Sequence, residues 1–255
     1  MTLLRAEGMR RRFGGLTAVD GVGFNLRAGE VVGLIGPNGS GKSTLVNLLT
    51  RDDRGGEGTV ALDGLRIDRL PAWRVARLGV ARTYQMIRLF PSLSVRENVA
   101  MGLHGSMRSG WMASALRLSH ARADEREADA RADAALAEMG LSALADRPAT
   151  ALSIGQQRLV EIARGLASRP RLMLLDEPAA GLSPPNVDRL IRIIQDLRDR
   201  HGIAVLLVEH AMRVVQAVCD RAIVLEQGKV IAEGTPSAVI ADPAVVEAYI
   251  GTGHA

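Results

Sequence analysis

Apolar positions fall along this chain in recurring patterns. Residues 30–35, 172–175 and 203–208 are short β-branched or leucine-rich runs with almost no polar interruption, as in strands buried on both faces of a parallel sheet. Each gives way to a Gly-rich turn or to acidic and histidine residues, and open α/β sheets bind ligands at the carboxyl ends of their strands. Residues 9–13, 18–25 and 56–62 are further strand candidates. Residues 222–226 and 229–232 flank Gln227-Gly228 as a hairpin, and 80–85 reads as extended.

Helical spacing takes over elsewhere. Leu190, Ile193, Ile194 and Leu197 share one face of a helix predicted over 185–200, which begins after Ser183 and two prolines. Residues 43–50, 71–78 and 244–250 are also predicted helical. From about 93 to 152 the composition shifts to Ala, Arg, Asp, Glu and Met, and Ala128, Ala132, Ala135, Leu136 and Met139 recur at helical spacing. This insertion reads as a solvated helical hairpin or as a docking surface for a partner, and the two are compatible. The chain is thus expected to form one domain over 1–255: an α/β body from 1–92 and 153–235, a helical subdomain at about 93–152, and a helical tail at 236–255.

Composition narrows the class. With 255 residues and 47% hydrophobic content, the chain can bury a sizeable core. No apolar run approaches the ~18 residues of a membrane span. Residues 1–12 carry basic groups without a following apolar stretch, so cytoplasmic residence without a secretory signal is expected. The single cysteine, Cys219, excludes an internal disulfide framework and reads as a small buried apolar residue. The net charge of +4 is spread among acids rather than stacked in a block, which argues against a nucleic-acid partner. Of 32 positive residues only Lys42 and Lys229 are lysine. Lys42 lies in a Gly-rich loop, where a compact ammonium fits between phosphate oxygens better than a planar guanidinium.

That loop, Gly36-Pro37-Asn38-Gly39-Ser40-Gly41-Lys42-Ser43, satisfies the Walker A pattern between an apolar strand and a helix. Such a loop wraps backbone N–H groups around phosphates, Lys42 reaches the β- and γ-phosphates, and the Ser43 hydroxyl ligates Mg²⁺, with Thr44 beside it. Leu172–Asp176 reads as Walker B, presenting Asp176 to the ion. Glu177 follows, well placed to orient or deprotonate the attacking water, although acidic pairs after strands are common.

Leu152-Ser153-Ile154-Gly155-Gln156 opens a helical stretch, with Ser153 23 residues before Asp176. It resembles the LSGGQ signature of the ATP-binding cassette (ABC) family, with Ile154 at the third position. The resemblance implies a P-loop NTPase fold with a RecA-like catalytic core, an antiparallel β subdomain and a helical subdomain. It also implies an ATPase that uses ATP and Mg²⁺, in which Ser153, Gly155 and Gln156 of one subunit grip the nucleotide bound by Walker A of another. Further landmarks match residue by residue: Gln85 the Q-loop glutamine that touches metal and water, His210 the switch histidine, and Phe13 the aromatic that stacks on adenine. The competing reading of Phe13 is an ordinary core phenylalanine. Ala180-Gly181-Leu182-Ser183 occupies the D-loop, where many relatives carry Ser-Ala-Leu-Asp.

Arg82-Thr83-Tyr84-Gln85, Gly155-Gln156-Gln157-Arg158, Glu177-Pro178-Ala179-Ala180-Gly181-Leu182 and Ala248-Tyr249-Ile250-Gly251 are similar to the LivG-type ATPases of branched-chain amino-acid importers. That similarity implies two transmembrane permease subunits, a second ATPase that is similar or identical, an extracytoplasmic solute-binding protein acting indirectly, and a peripheral place on the cytoplasmic face of the membrane. A soluble ABC ATPase acting on DNA or ribosomes would need two cassettes or a long coiled-coil insertion. A P-loop kinase or GTPase has no use for the signature or for His210.

Overall fold

The structure, a computed structural model, describes residues 1–103 and 119–250, with side chains described for 1–103 and 125–249. The chain folds as two compact units: Met1–Arg82 with Arg171–Ala180 and Val187–Ala255, and Thr83–Pro170 with Gly181–Asn186.

The first unit holds two sheets. β1 (Thr2–Phe13), β2 (Leu16–Arg27), β4 (Glu57–Leu62) and β5 (Leu65–Arg66) form an antiparallel sheet in the order β2-β1-β4-β5. β1 begins seven residues earlier than its 9–13 pattern predicts. Its period-two alternation is broken where the register with β2 shifts between Ala6 and Met9, beside Gly8 at φ 60°, so inward Leu4 and Ala6 fall out of step with Met9.

The second sheet has the order β10-β9-β3-β8-β7-β6, formed by β3 (Val31–Ile35), β6 (Val80–Arg82), β7 (Leu172–Asp176), β8 (Ala204–Val208), β9 (Arg221–Glu226) and β10 (Lys229–Gly234). All neighbours are parallel except the β9–β10 hairpin. Every residue of β3, β7 and β8 is buried, as their uninterrupted apolar runs require. Helices α1 (Lys42–Leu49), α2 (Ala72–Arg77), α6 (Pro184–Asp199), α7 (Met212–Val218), α8 (Pro236–Ile240) and α9 (Pro243–Ile250) complete the connections. The face predicted from Leu190, Ile193, Ile194 and Leu197 is the buried face of α6. Cys219 is buried against Gly33, where a Cβ would lie 3.2 Å from its sulfur, and burial pushes its thiol up to about 12. The short β5, α7 and α8 carry too few residues for periodicity to reveal.

The second unit is helical. It contains α3 (Val95–Ala100), a 3₁₀ turn at Met101–Leu103, α4 (Ser119–Glu138) and α5 (Ile154–Ala167). Residues 104–118 of the predicted helical stretch lie outside the described residues. α3, α4 and α5 pack on one another, burying Ala128, Ala132, Ala135, Leu136 and Met139. Ser94 caps α3 in a capping box with Glu97, and the buried Asn98 amide ties Phe90, Leu93 and Ser94 together. Among the described residues no helix is long and apolar enough to cross a membrane.

Candidate nucleotide site

β3 lies between β8 and β9 in its sheet, and residues 36–41 carry the chain from its carboxyl end into α1. Three glycines make the turn possible. Gly36, Gly39 and Gly41 have φ of 142°, 78° and 103°. A Cβ on Gly36 would lie 2.0 Å from the Leu225 carbonyl oxygen, and one on Gly41 2.2 Å from that of Ala18. Pro37 and the exposed Asn38 form the outer part of the loop, and the buried Ser40 accepts a hydrogen bond from Gly228 N at its carbonyl, 3.0 Å.

Lys42 is buried, and its Nζ donates to Gly36 O and Pro37 O, both at 2.8 Å. Burial pulls its ammonium below the ordinary lysine range, and the carboxylates of Glu177 and Asp176 pull it back up. Ser43 is exposed and Thr44 half-buried in the first turn of α1, which carries no acidic residue. The positive end of α1 is therefore not neutralised locally, which suits a phosphate.

β7 delivers Asp176, 2% exposed, and then Glu177. Glu177 has φ 49°, a left-handed conformation that costs a non-glycine residue free energy. Its N–H donates to Val208 O at 2.9 Å, continuing the ladder between β7 and β8. On β8 the chain continues into Glu209 and His210, and His210 Nε2 lies 3.0 Å from Glu177 Oε1.

Arg82, at the end of β6, bonds Asn47 Oδ1 at 2.7 Å, Asp52 Oδ2 at 2.8 Å and Asp176 Oδ2 at 3.2 Å. One guanidinium thus joins the end of the loop helix to the Walker B aspartate. Its planar fork explains why arginine serves here although lysine serves in the loop. The turn 51–55 supplies Asp52 to Arg82 and Asp53 to Arg11. Phe13 ends β1 at 48% exposure with the Arg11 guanidinium 4.3 Å from its ring centroid, which removes the core reading.

Gln85, Ser153, Gly155 and Gln156 belong to the second unit. Gln85 is exposed in a bend after β6 rather than in an extended segment. Ser153 caps α5: its Oγ accepts from Gln156 N at 3.4 Å, while Gln156 Oε1 accepts from Ser153 N at 2.9 Å. Ile154 stands 60% exposed beside them, and a Cβ on Gly155 would meet Asn186 Nδ2 and Leu182 Cδ2 at 3.2 Å. Behind the cap, Arg158 holds Tyr84 O at 2.6 Å and also Gln85 O, and Arg164 holds Arg88 O at 2.6 Å. Glu161, fully buried between the two arginines, accepts from Arg88 N at 2.8 Å.

Two contacts lay beyond sequence reasoning. The Tyr249 hydroxyl of α9 accepts the Gly36 N–H at 2.9 Å, so the tail touches the first loop glycine. The Glu209 carboxylate accepts from Ala179 N at 2.7 Å, His210 N at 3.0 Å and Ala211 N at 3.1 Å. The helical pattern at 244–250 and the acidic end of strand 203–208 were signals that these positions matter, but neither names a contact.

The site fits a nucleotide with Mg²⁺. Its glycine loop, buried lysine and unneutralised helix end form an anion cradle, and Ser43 and Asp176 supply oxygen donors. Among the described residues no three His, Cys, Asp or Glu side chains gather into a metal-holding group. Mg²⁺ is suited by that arrangement, since it takes one or two protein oxygens plus substrate phosphates rather than a protein cage.

A mixed α/β core with these strand-end residues defines the class: the profile of the ABC transporter family matches residues 19–180, and this chain belongs to that family as an ATP-binding cassette ATPase coupled to transport. Within it, the chain is similar to the high-affinity branched-chain amino acid transport ATP-binding protein BraF of Pseudomonas aeruginosa, 42% identical over 98% of both chains. The corresponding LivG of Escherichia coli is 41% identical over 98% of both. A second profile, the branched-chain amino acid ATP-binding cassette transporter, matches residues 229–255. Among solved structures, a nucleotide-free ATP-binding cassette from an ABC transporter superposes with TM-score 0.86 at 34% identity, over 98% of this chain and all of the other. The resemblance to LivG-type chains and the expected fold class are both borne out.

Proposed function

We propose that this chain hydrolyses ATP for an importer of branched-chain amino acids or related small organic acids, acting as a dimer at the cytoplasmic face of a membrane. The observation that carries the substrate class is the similarity to BraF and LivG along 98% of the chain, joined by the separate match at 229–255.

In this reading the backbone of Gly36 to Gly41, with Pro37, Asn38 and Ser40, cradles the phosphates, and Lys42, Ser43 and Thr44 close on them from α1. Phe13 stacks on adenine, for which a half-exposed ring is suited. Ser43, Asp176 and Gln85 would hold Mg²⁺, which would supply positive charge to offset that developing on the phosphates. Glu177 orients the attacking water and takes its proton, and His210, in contact with Glu177, faces the γ-phosphate. Ser153, Gly155 and Gln156 of a second ATPase, similar or identical, complete the site. The exposure of Ser153 and Ile154 at the helix start leaves that end accessible to a partner. Closure on ATP and reopening after hydrolysis then move two permease subunits through the helical subdomain, with a solute-binding protein outside delivering cargo.

The test is co-purification of the tagged chain from gently solubilised native membranes, with mass spectrometry of what accompanies it, and uptake of labelled leucine by cells lacking the chain. Two polytopic proteins and lost leucine uptake are expected. Ribosomal or DNA-repair proteins with unchanged uptake would replace the importer by a soluble ABC ATPase.

A further inference from the structure

We propose that Glu209 is a positioning residue that fixes the Glu177–His210 pair by bridging the two segments that carry it. This rests on the reading of Glu177 and His210 given above.

β7 and β8 are adjacent and parallel, and their last paired residues are Asp176 and Val208. Beyond them the ladder holds for one more bond, Glu177 N to Val208 O, after which each strand runs into a turn of its own. The chemistry nevertheless needs two side chains, one from each segment, held at contact distance. Glu209 supplies the link. Its Oε1 accepts from Ala179 N, two residues past Glu177, and its Oε2 accepts from the N–H groups of His210 and Ala211. The result is a closed ring: Glu177 to Ala179 along the chain, Ala179 to Glu209 by a hydrogen bond, Glu209 to His210, and His210 back to Glu177 at 3.0 Å.

The residue type follows from the partners. All three are backbone donors, so the bridge must accept at both ends, which only a carboxylate does without turning an N–H toward an N–H. Glu209 is 3% exposed, and a buried carboxylate is kept only where its charge is met by donors. The left-handed Glu177 gives a reason for the bridge: a strained backbone persists only when its surroundings over-determine it. With one end of the bridge released, the segment after β7 can relax and the Glu177 carboxylate moves off its position. Misplacement of a reacting group by an ångström costs about 10²-fold in rate without touching substrate affinity.

The experiment compares wild type, Glu209→Gln, His210→Ala and the double variant in single-turnover ATP hydrolysis, with equilibrium binding of a fluorescent ATP analogue and thermal melting. The amide of Gln presents a donor to one end of the bridge and an acceptor to the other. Hydrolysis by Glu209→Gln is expected to fall by about tenfold or more, with nucleotide affinity within about twofold and a cooperative melt. In the His210→Ala background the same change should cost less than in wild type, because the ring it opens is already broken at the Glu177–His210 contact. Hydrogen–deuterium exchange of the wild-type protein gives a readout that needs no variant: the amides of Ala179 and Ala211 should be protected.

Rapid exchange at both amides, an equal loss from Glu209→Gln with and without His210, or unchanged hydrolysis would each overturn the bridge. If instead His210→Ala and Glu177→Gln leave turnover intact, the assignment of the pair itself has failed.

Discussion

His210 Nε2 and Glu177 Oε1 stand 3.0 Å apart although 33 residues separate them in sequence, each at the carboxyl end of its own parallel strand. In the proposed reading, the contact joins the residue that accepts a proton from water to a side chain able to adjust its donors to a carboxylate on one side and a phosphate on the other.

Removing the base without changing its shape tests that division of labour. Glu177→Gln should bind MgATP with near wild-type affinity, hydrolyse it about 10²- to 10⁴-fold more slowly, and accumulate as a nucleotide-held dimer in light scattering. Turnover at the wild-type rate would remove Glu177 from its role.

Lys42 separates binding from stability. Burial lowers its ammonium below the unfolded value of 10.5 more than Glu177 and Asp176 restore it. A base depressed on folding contributes stability that is present above its unfolded pKa and is lost as pH falls through the folded one. At neutral pH the charged Lys42 therefore costs the nucleotide-free fold, and the phosphates are what justify it. Lys42→Met should leave the nucleotide-free Tm no lower than wild type, abolish the Tm increase caused by MgATP, and differ less from wild type as pH approaches 10.5. An ATP-induced Tm shift equal to that of wild type would refute the loop's role.

Tyr249 extends the site to the tail. With Phe at this position the Gly36 N–H loses its acceptor, at a cost of about 1–2 kcal/mol for a buried donor. The expected outcome for Tyr249→Phe is a higher KM for ATP with kcat preserved, since a loosened loop weakens substrate and transition state alike. A lower kcat at unchanged KM would place Tyr249 in the chemistry instead.

What the chain discloses by itself divides along a physical line. The glycine loop, Asp176, Glu177 and the α5 cap are legible because their chemistry is local: a strand, a tight turn and a helix start are consecutive in sequence, and each demands particular residues at fixed offsets. The buried strands and the apolar face of α6 are legible through period. Tyr249 and Gly36 are 213 residues apart, and Glu209 meets Ala179 across 30, so no periodicity carries them. The turn 51–55 is not legible in the sequence, because its carboxylates answer Arg11 and Arg82, which arrive from other strands.

The arginine pair behind the signature turns this non-local kind of contact into a pH-dependent one. Burial raises the Glu161 carboxyl above its ordinary value of 4.5, while the Arg88 N–H and then the Arg164 and Arg158 charges lower it again. A carboxyl raised on folding contributes stability that is complete below its unfolded pKa and is lost as pH climbs through the folded one. Arg158→Met removes one of the lowering charges and also the guanidinium's hydrogen bonds to the Tyr84 and Gln85 carbonyls. The Glu161 pKa should then rise further, and stability should fall by about 2–3 kcal/mol at neutral pH, because the buried carboxylate keeps Arg164 and the Arg88 N–H but loses one of its two guanidinium partners. As pH falls below 4.5 the carboxyl becomes protonated, and the deficit should shrink toward the loss of the two carbonyl bonds. Urea unfolding of wild type and variant at neutral and at acid pH decides it, because a deficit that is equal at both, or larger in acid, would mean that Glu161 carries no charge for Arg158 to answer.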